Sequence, residues 1–294
     1  MTMTPHSNLR GIAYMTLGVS CFPAADAISK YLTGSHDPTQ ILWLRCLVQL
    51  AMVLPLLLPR ARRLELRTRR PALHFARALF NLLATLAFIT ALSHVPLVEA
   101  VTILFSGGLF LVALSAVLLG EHVDRARWAA VIVGFAGVLV VMRPGLGVLH
   151  WAASLALFAA LATALYQVST RKLAETDSSL TIFFYVTIFG VVALAPVMPF
   201  VWTPVTGDGW LYILGAGIAG GLGHWFMIKS LAHAPGSVVA PFNYAQIVAA
   251  TGLGWAWFGD IPDLWTFVGL AIVIGSGLAI AARERRAVAE AKRP

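Results

Sequence analysis

Charge is what this sequence has least of. Only 12% of its 294 residues are charged, about half the ~25% of an ordinary soluble domain, while 59% are hydrophobic and the mean hydropathy is +0.81. So apolar a chain exceeds what one water-facing core can absorb, and its solvent is lipid. Cysteine is nearly absent. Cys21 and Cys46 both fall in apolar runs without metal-ligand spacing, which excludes a disulfide framework or a zinc site and leaves them as small buried hydrophobes. No Gly-Lys-Ser/Thr phosphate loop, His-Glu-x-x-His helix or Gly-x-Ser-x-Gly elbow occurs, so no ATP-driven step and no protease or hydrolase signature is encoded. No cofactor or metal is expected. The net charge of +8 could suggest nucleic acid. However, no linker is long enough to hold a soluble domain that would bind it.

Ten apolar segments are present, over 11–32, 39–58, 72–93, 97–119, 127–142, 150–169, 179–202, 209–230, 236–258 and 264–282. Most approach the ~20 residues a helix needs to cross hydrocarbon at about 1.5 Å per residue. The expectation is an all-α polytopic membrane protein of ten transmembrane helices. The first segment, with Arg10 before it and Ala25-Asp26-Ala27 inside it, has features of a leader; we take it as the retained first span. Arginine and lysine set the orientation. Arg60 to Arg70, Arg125 and Arg127, Arg171 and Lys172, Lys229 and the tail from Arg283 all fall on one side with Arg10, and only Arg143 lies opposite. That side is the cytoplasm, so both termini are placed inside, in a bacterial inner membrane.

Within this apolar background the chain repeats itself. Ala91-Leu92-Ser93-His94-Val95-Pro96 recurs as Ser230-Leu231-Ala232-His233-Ala234-Pro235, and Gly120-Glu121 recurs as Gly259-Asp260, at a constant offset of 139 residues. Beyond these, Gly137 matches Gly277 and Arg143 matches Arg283. A fixed offset marks a duplicated unit. Five spans per copy is an odd number, so the second copy must enter the membrane from the opposite face. Two inverted five-helix repeats, 1–143 and 144–282, then surround a central cavity, with 283–294 a basic cytoplasmic tail. Alternating access follows from such a pair.

The ten-span layout, the His94-x-Pro96 and His233-x-Pro235 entries, and the acidic Glu121 and Asp260 closing the following helices resemble the drug/metabolite transporter superfamily in its EamA-type branch. Among its members the chain is most like the bacterial exporters of aromatic amino acids and drugs. The resemblance implies a secondary transporter exporting small amphipathic organic solutes, amino acids foremost, acting as a monomer. It also implies a cavity lined by helices 1, 3, 4, 6, 8 and 9, with helices 5 and 10 peripheral.

Charges inside spans cost about 2.5–3.5 kcal/mol each on insertion scales. Asp26 and Lys30, one turn apart in the first span, are expected to pair on one face. With Arg45 and Glu99 they form a set at one depth, either an outer gate or ion-coupling site or a static ion-pair network. These four show no counterpart in the second copy. Arg77 either snorkels to the inner headgroups or meets a substrate carboxylate. Asn81, one turn deeper, bonds substrate or a neighbouring helix. Phe105, Tyr166, Gln167 and His224 are further candidates for substrate contact. So are Asn243, Tyr244 and Gln246, which follow Pro241 as the densest polar and aromatic group at membrane depth. Glycines inside spans permit close helix packing or, at Gly107-Gly108, a hinge. A second hypothesis is an intramembrane enzyme acting on a lipid or lipid-linked substrate. It would have only His36 with Asp37 and His122 with Asp124 to draw on.

Overall fold

A computed structural model describes residues 5–61, 68–118, 125–142, 151–174, 176–233, 242 and 245–290. Every regular element among them is helical. The helices follow the expected spans in order. They are α1 (Pro5–Leu32), α2 (Pro38–Ala61), α3 (Pro71–Leu92), α4 (Leu97–Leu104), α5 (Gly107–Leu118), α6 (Arg125–Met142), α7 (Trp151–Ala174), α8 (Ser179–Leu194), α9 (Met198–Val201), α10 (Gly209–His233), α11 (Ala245–Leu253) and α12 (Leu264–Glu290). Among the described residues, five stretches are long and apolar enough to cross a membrane: Leu9–Leu32, Pro38–Pro55, Pro71–Leu92, Trp151–Thr170 and Leu180–Val201. Large apolar side chains such as Ile132, Phe200, Leu211 and Val248 are exposed. Water would penalise those faces, and lipid does not.

Three spans are less regular than their hydropathy predicts. The fourth is broken into α4 and α5 at Phe105 and Ser106, where Ser106 turns its hydroxyl back to the Ile103 carbonyl at 2.7 Å. The seventh passes through a 3₁₀ turn at Ala195–Val197. Proline at Pro196 removes a backbone donor there. The ninth ends in a π turn, Gly254–Phe258, closed by Gly259 at φ +67°. A side chain at that left-handed position would be strained.

The helix pairing shows how the halves are related. Equivalent spans meet head to tail. Along α2 and α8, Cys46 faces Gly190 while Val53 clusters with Phe183 and Val186 further down. Along α6 and α12, Gly134 faces Ser276 while Gly137 faces Gly269 and Ile272. Residue numbers fall on one helix as they rise on its equivalent, so the two halves are antiparallel. The most extensive of the remaining contacts come in matched pairs. α1 packs on α10, and the equivalent α3 packs on α7; α2 packs on α10, and α8 on α3. The linkers carry the repeat down to individual hydrogen bonds. The Leu32 carbonyl accepts from Ser35 and His36 N–H at 3.0 and 2.9 Å, and the Leu173 carbonyl accepts from Thr176 and Asp177 at 3.0 and 2.9 Å. The next helix then begins on a capping side chain in both halves. The Asp37 carboxylate accepts from Thr39 N–H at 2.7 Å, and the Ser178 hydroxyl from Thr181 N–H at 3.2 Å. Such caps satisfy donors that a helix start leaves open.

Small residues set the depth of these contacts. A Cβ at Gly18 would lie 3.0 Å from the Gly223 carbonyl, and one at Gly137 2.9 Å from the Gly269 carbonyl. Backbones this close gain dispersion contacts that larger residues would prevent. Gly107 belongs to the same class, since its Cβ would lie 3.1 Å from the Ala160 carbonyl, whereas Gly108 faces open space.

Candidate functional site

The expected pairing of Asp26 with Lys30 does not occur. Lys30 Nζ donates to Asp260 Oδ2 at 2.7 Å and lies 4.6 Å above the Phe258 ring. Asp26 instead lies 3.8 Å from Arg45. The outer charges therefore do have a partner in the second copy, because Gly259 turns Asp260 back toward the end of α1. Helical spacing made the local pair plausible. The cross-half pair wins because a carboxylate at the open end of the π turn reaches the ammonium without burying itself. Glu99 lines a cleft of about 240 Å³ with Pro96, Val98 and the turn Gly259 to Pro262.

Snorkelling of Arg77 is also overturned. Its side chain is 3% exposed and clamps three helices. Nε donates to Thr170 Oγ1 at 2.7 Å, Nη1 to the Ile182 carbonyl at 3.0 Å and Nη2 to the Tyr166 hydroxyl at 2.8 Å. The guanidinium carbon lies 4.4 Å above the Tyr166 ring, a cation-π contact. Tyr166 is thus held by Arg77, and this bond fixes α3 against α7 and α8.

Arg45 contrasts with Arg77 in how well it is satisfied. It is 6% exposed, yet its single hydrogen bond among the described residues runs from Nη1 to Ser29 Oγ at 3.0 Å. Asp26, 8% exposed, lies beyond hydrogen-bond distance of it, and Arg45 Nε is buried without a partner among the described residues. A guanidinium carries five donors, and unfilled buried donors are costly. Across from it, a Cβ on Gly220 would come within 2.8 Å of Gln49 Nε2 and 3.4 Å of Arg45 Nη2. Only glycine on α10 allows α2 to bring these polar groups so far inside.

His224 of α10 sits between Phe22 of α1 and Phe183 of α8, with ring centroids 5.1 and 5.3 Å away. Phe183 also belongs to one cluster with Tyr166, the ring over which Arg77 lies. Asn81 is half-buried on α3, where its side chain makes no hydrogen bond to another described residue. Gln167 on α7 and Gln246 on α11 are half-buried. Phe105 is half-buried at the α4 break, packed on the main core. Asn243, Tyr244 and Pro241 lie outside the described residues, as do Glu121, His122 and Asp124. Sequence reasoning missed Ser29, Gln49, Thr170, His74 and Asp177. A polar residue inside an apolar span signals each of the first three, but their partners come from distant segments.

The enzyme hypothesis loses one of its two pairs. Asp37 is occupied in capping α2, and His36 Nδ1 meets Ser35 Oγ at 2.8 Å. Among the described residues, no group of three or more His, Cys, Asp or Glu could hold a metal ion.

The repeat is visible at its two histidines. His94, after α3, lies 4.9 Å from Trp151 at the start of α7 with the rings tilted, and His233, ending α10, lies 5.3 Å from Tyr14 near the start of α1. An antiparallel pair of helical halves with polar groups buried between them is the architecture of a membrane transporter. The chain belongs to the EamA-like transporter family, whose sequence profile matches twice, over residues 9–143 and 150–282. It is similar to a riboflavin transporter of Vibrio cholerae (27% identical, covering 92% of each chain). It is also similar to an S-adenosylmethionine uptake transporter of Rickettsia felis (25%, covering 95% of each). A pseudopaline exporter of Pseudomonas aeruginosa matches at 24%, covering 92% of this chain and 95% of that one. A solved crystal structure shares the fold with a TM-score of 0.65 at 21% identity, over 96% of this chain and 98% of the other.

Proposed function

We propose that this transporter is a monomeric secondary carrier of the bacterial inner membrane, both termini cytoplasmic. It exports small amphipathic solutes of amino-acid type, aromatic ones included. Its halves, 1–143 and 144–282, exchange conformations around the interior site, and 283–294 extends as a basic tail. The single observation that carries the substrate class is Arg45. A buried guanidinium with an orphaned Nε and a carboxylate held 3.8 Å away is a receptor for a second carboxylate. Charge-assisted bonds from its free donors would fix the solute, while Phe22, Phe183 and His224 supply apolar walls. Asn81, Phe105, Gln167, Asn243, Tyr244 and Gln246 complete the contacts in this proposal. Asp26 is its ion-coupling group, exchanging Arg45 with the solute. The relatives named as moving riboflavin, S-adenosylmethionine and pseudopaline support an organic solute.

Proteoliposomes carry the test. Phenylalanine and tryptophan are expected to cross faster than through empty liposomes, and Arg45→Gln is expected to lower that flux about tenfold while leaving thermal stability unchanged, the cost of one lost charge-assisted contact. Riboflavin, which lacks a carboxylate, serves as the second arm. Equal loss for riboflavin and the amino acids would overturn the carboxylate role; amino-acid flux at the empty-liposome rate would overturn the substrate class.

A further inference from the structure

Among the described residues, two ion pairs lie outside the interior site, and both join the first half of the chain to the second. Lys30, in the last turn of α1, meets Asp260 at 2.7 Å, 230 residues away. His74, in the first turn of α3, meets Asp177 in the linker after α7, with Nε2 to Oδ2 at 2.6 Å across 103 residues. α1 and α3 are separated by one span and so cross in the same sense. The C-terminal end of one and the N-terminal end of the other therefore lie at opposite mouths.

We infer that the two pairs are the latches of the two mouths, and that only the His74 latch is tuned by pH. The difference is chemical. An ammonium and a carboxylate are both charged across physiological pH, whereas an imidazole changes charge between about pH 5 and 8. The surroundings of His74 are consistent with a switch. It is 3% exposed, and its Nδ1 is buried without a partner among the described residues. The charged and titratable groups about it are few. Its own helix contributes Arg70, whose Nη1 donates to the Lys172 carbonyl at 2.9 Å, and Arg77, which is fully engaged elsewhere. α8 contributes Tyr185, with its ring 4.6 Å away. The linker after α7 contributes Asp177. Burial alone would raise the Asp177 carboxyl, but hydrogen bonds from Thr68, His74 and Thr176 outweigh it and hold it below the usual carboxylate range.

The sign follows from that pair. Facing an ionised Asp177, an imidazolium makes a charge-assisted bond and a neutral imidazole only a weaker one. Low pH therefore favours the latch, which weakens as pH rises through the histidine range. Below the depressed range of Asp177 the carboxylate is protonated and the latch is lost again. The latch is strongest between those limits. With the positive-side orientation proposed above, this mouth faces the cytoplasm, so an acidic cytoplasm keeps it shut.

The experiment reads opening without any transported solute, so its failure is separable from failure of the substrate proposal. In full-length protein carrying Cys21→Ala and Cys46→Ala, Ala78→Cys places a thiol one turn deeper than His74 at a site 2% exposed. Thr102→Cys, fully buried on α4, reports on the other mouth. Labelling by a membrane-impermeant methanethiosulfonate is followed in vesicles of both orientations from pH 5.5 to 8, with rates corrected for the reagent's own pH dependence on an exposed control cysteine. Labelling at position 78 is expected to rise about fivefold across that range, the ratio between a charge-assisted and a neutral hydrogen bond. His74→Gln, which keeps a donor but cannot titrate, should flatten the profile, and Asp177→Asn should raise labelling at every pH. Lys30→Met should raise labelling at position 102 equally at all pH values. A profile in His74→Gln that parallels the parent, or labelling at position 78 reached from the same side as position 102, overturns the inference. Should Asp177→Asn misfold, Asp177→Glu must retain the pH profile.

Discussion

At the scale of single residues, two buried arginines differ in what surrounds them. Arg77 is matched by a hydroxyl, a carbonyl and a phenol from two other helices, and Arg45 by one serine. The same residue type is thus structural in one place and receptive in the other. Arg77→Met leaves Thr170, Tyr166 and the Ile182 carbonyl without their partner. It is expected to destabilise the protein by about 3 kcal/mol, read as a lower melting temperature in detergent. Arg45→Gln, as proposed above, is expected to act on flux and not on melting. Gln40 is a third case that sequence alone did not single out. Fully buried, it donates to the Thr203 carbonyl at 2.7 Å and accepts from Thr203 N–H at 2.9 Å. Gln40→Leu would orphan both backbone groups, and we expect a loss of about 2 kcal/mol by the same melting measurement.

At the scale of elements, hydropathy located the spans but not their interruptions. The 97–119 run is mostly apolar, yet it breaks at Phe105 and Ser106, because a serine hydroxyl can serve a carbonyl that the helix leaves unfilled. Gly107, one of the two glycines offered above as a hinge, is a packing residue against Ala160. Close approach makes its own prediction. Gly137→Leu would drive a side chain into Ile272 and the Gly269 backbone. It should separate α6 from α12 at a cost of about 1–3 kcal/mol, whereas Gly108→Ala, facing open space, should be neutral or slightly stabilising. Melting curves of the two variants distinguish a packing glycine from a permissive one.

At the scale of the whole molecule, the antiparallel register is directly testable. Cysteines at Gly134 and Ser276 should crosslink, as should a pair at Val141 and Gly269, because each pair faces across α6 and α12. A pair at positions 134 and 269 should not. Crosslinking in that last pair, and not in the first two, would reverse the relation of the halves. Riboflavin and S-adenosylmethionine relatives match over nearly the full chain at 27% and 25% identity, so the framework tolerates extensive change in sequence.

The sequence by itself determined the solvent, the order of the spans and the duplication, since hydropathy and a fixed offset are one-dimensional properties that no packing detail can alter. Even the inversion followed, because an odd number of crossings leaves no alternative. Tertiary structure decided which charges meet. Lys30 has Asp26 one turn away along its own helix and pairs instead with Asp260. Arg77 has the headgroups within reach and turns inward to Tyr166. His74 and Asp177 carried no shared signal at all. Local spacing governs which pairs are possible, but inside a low-dielectric bundle a buried charge settles wherever distant segments complete its hydrogen bonds. Those segments become neighbours only after the two halves have folded against each other.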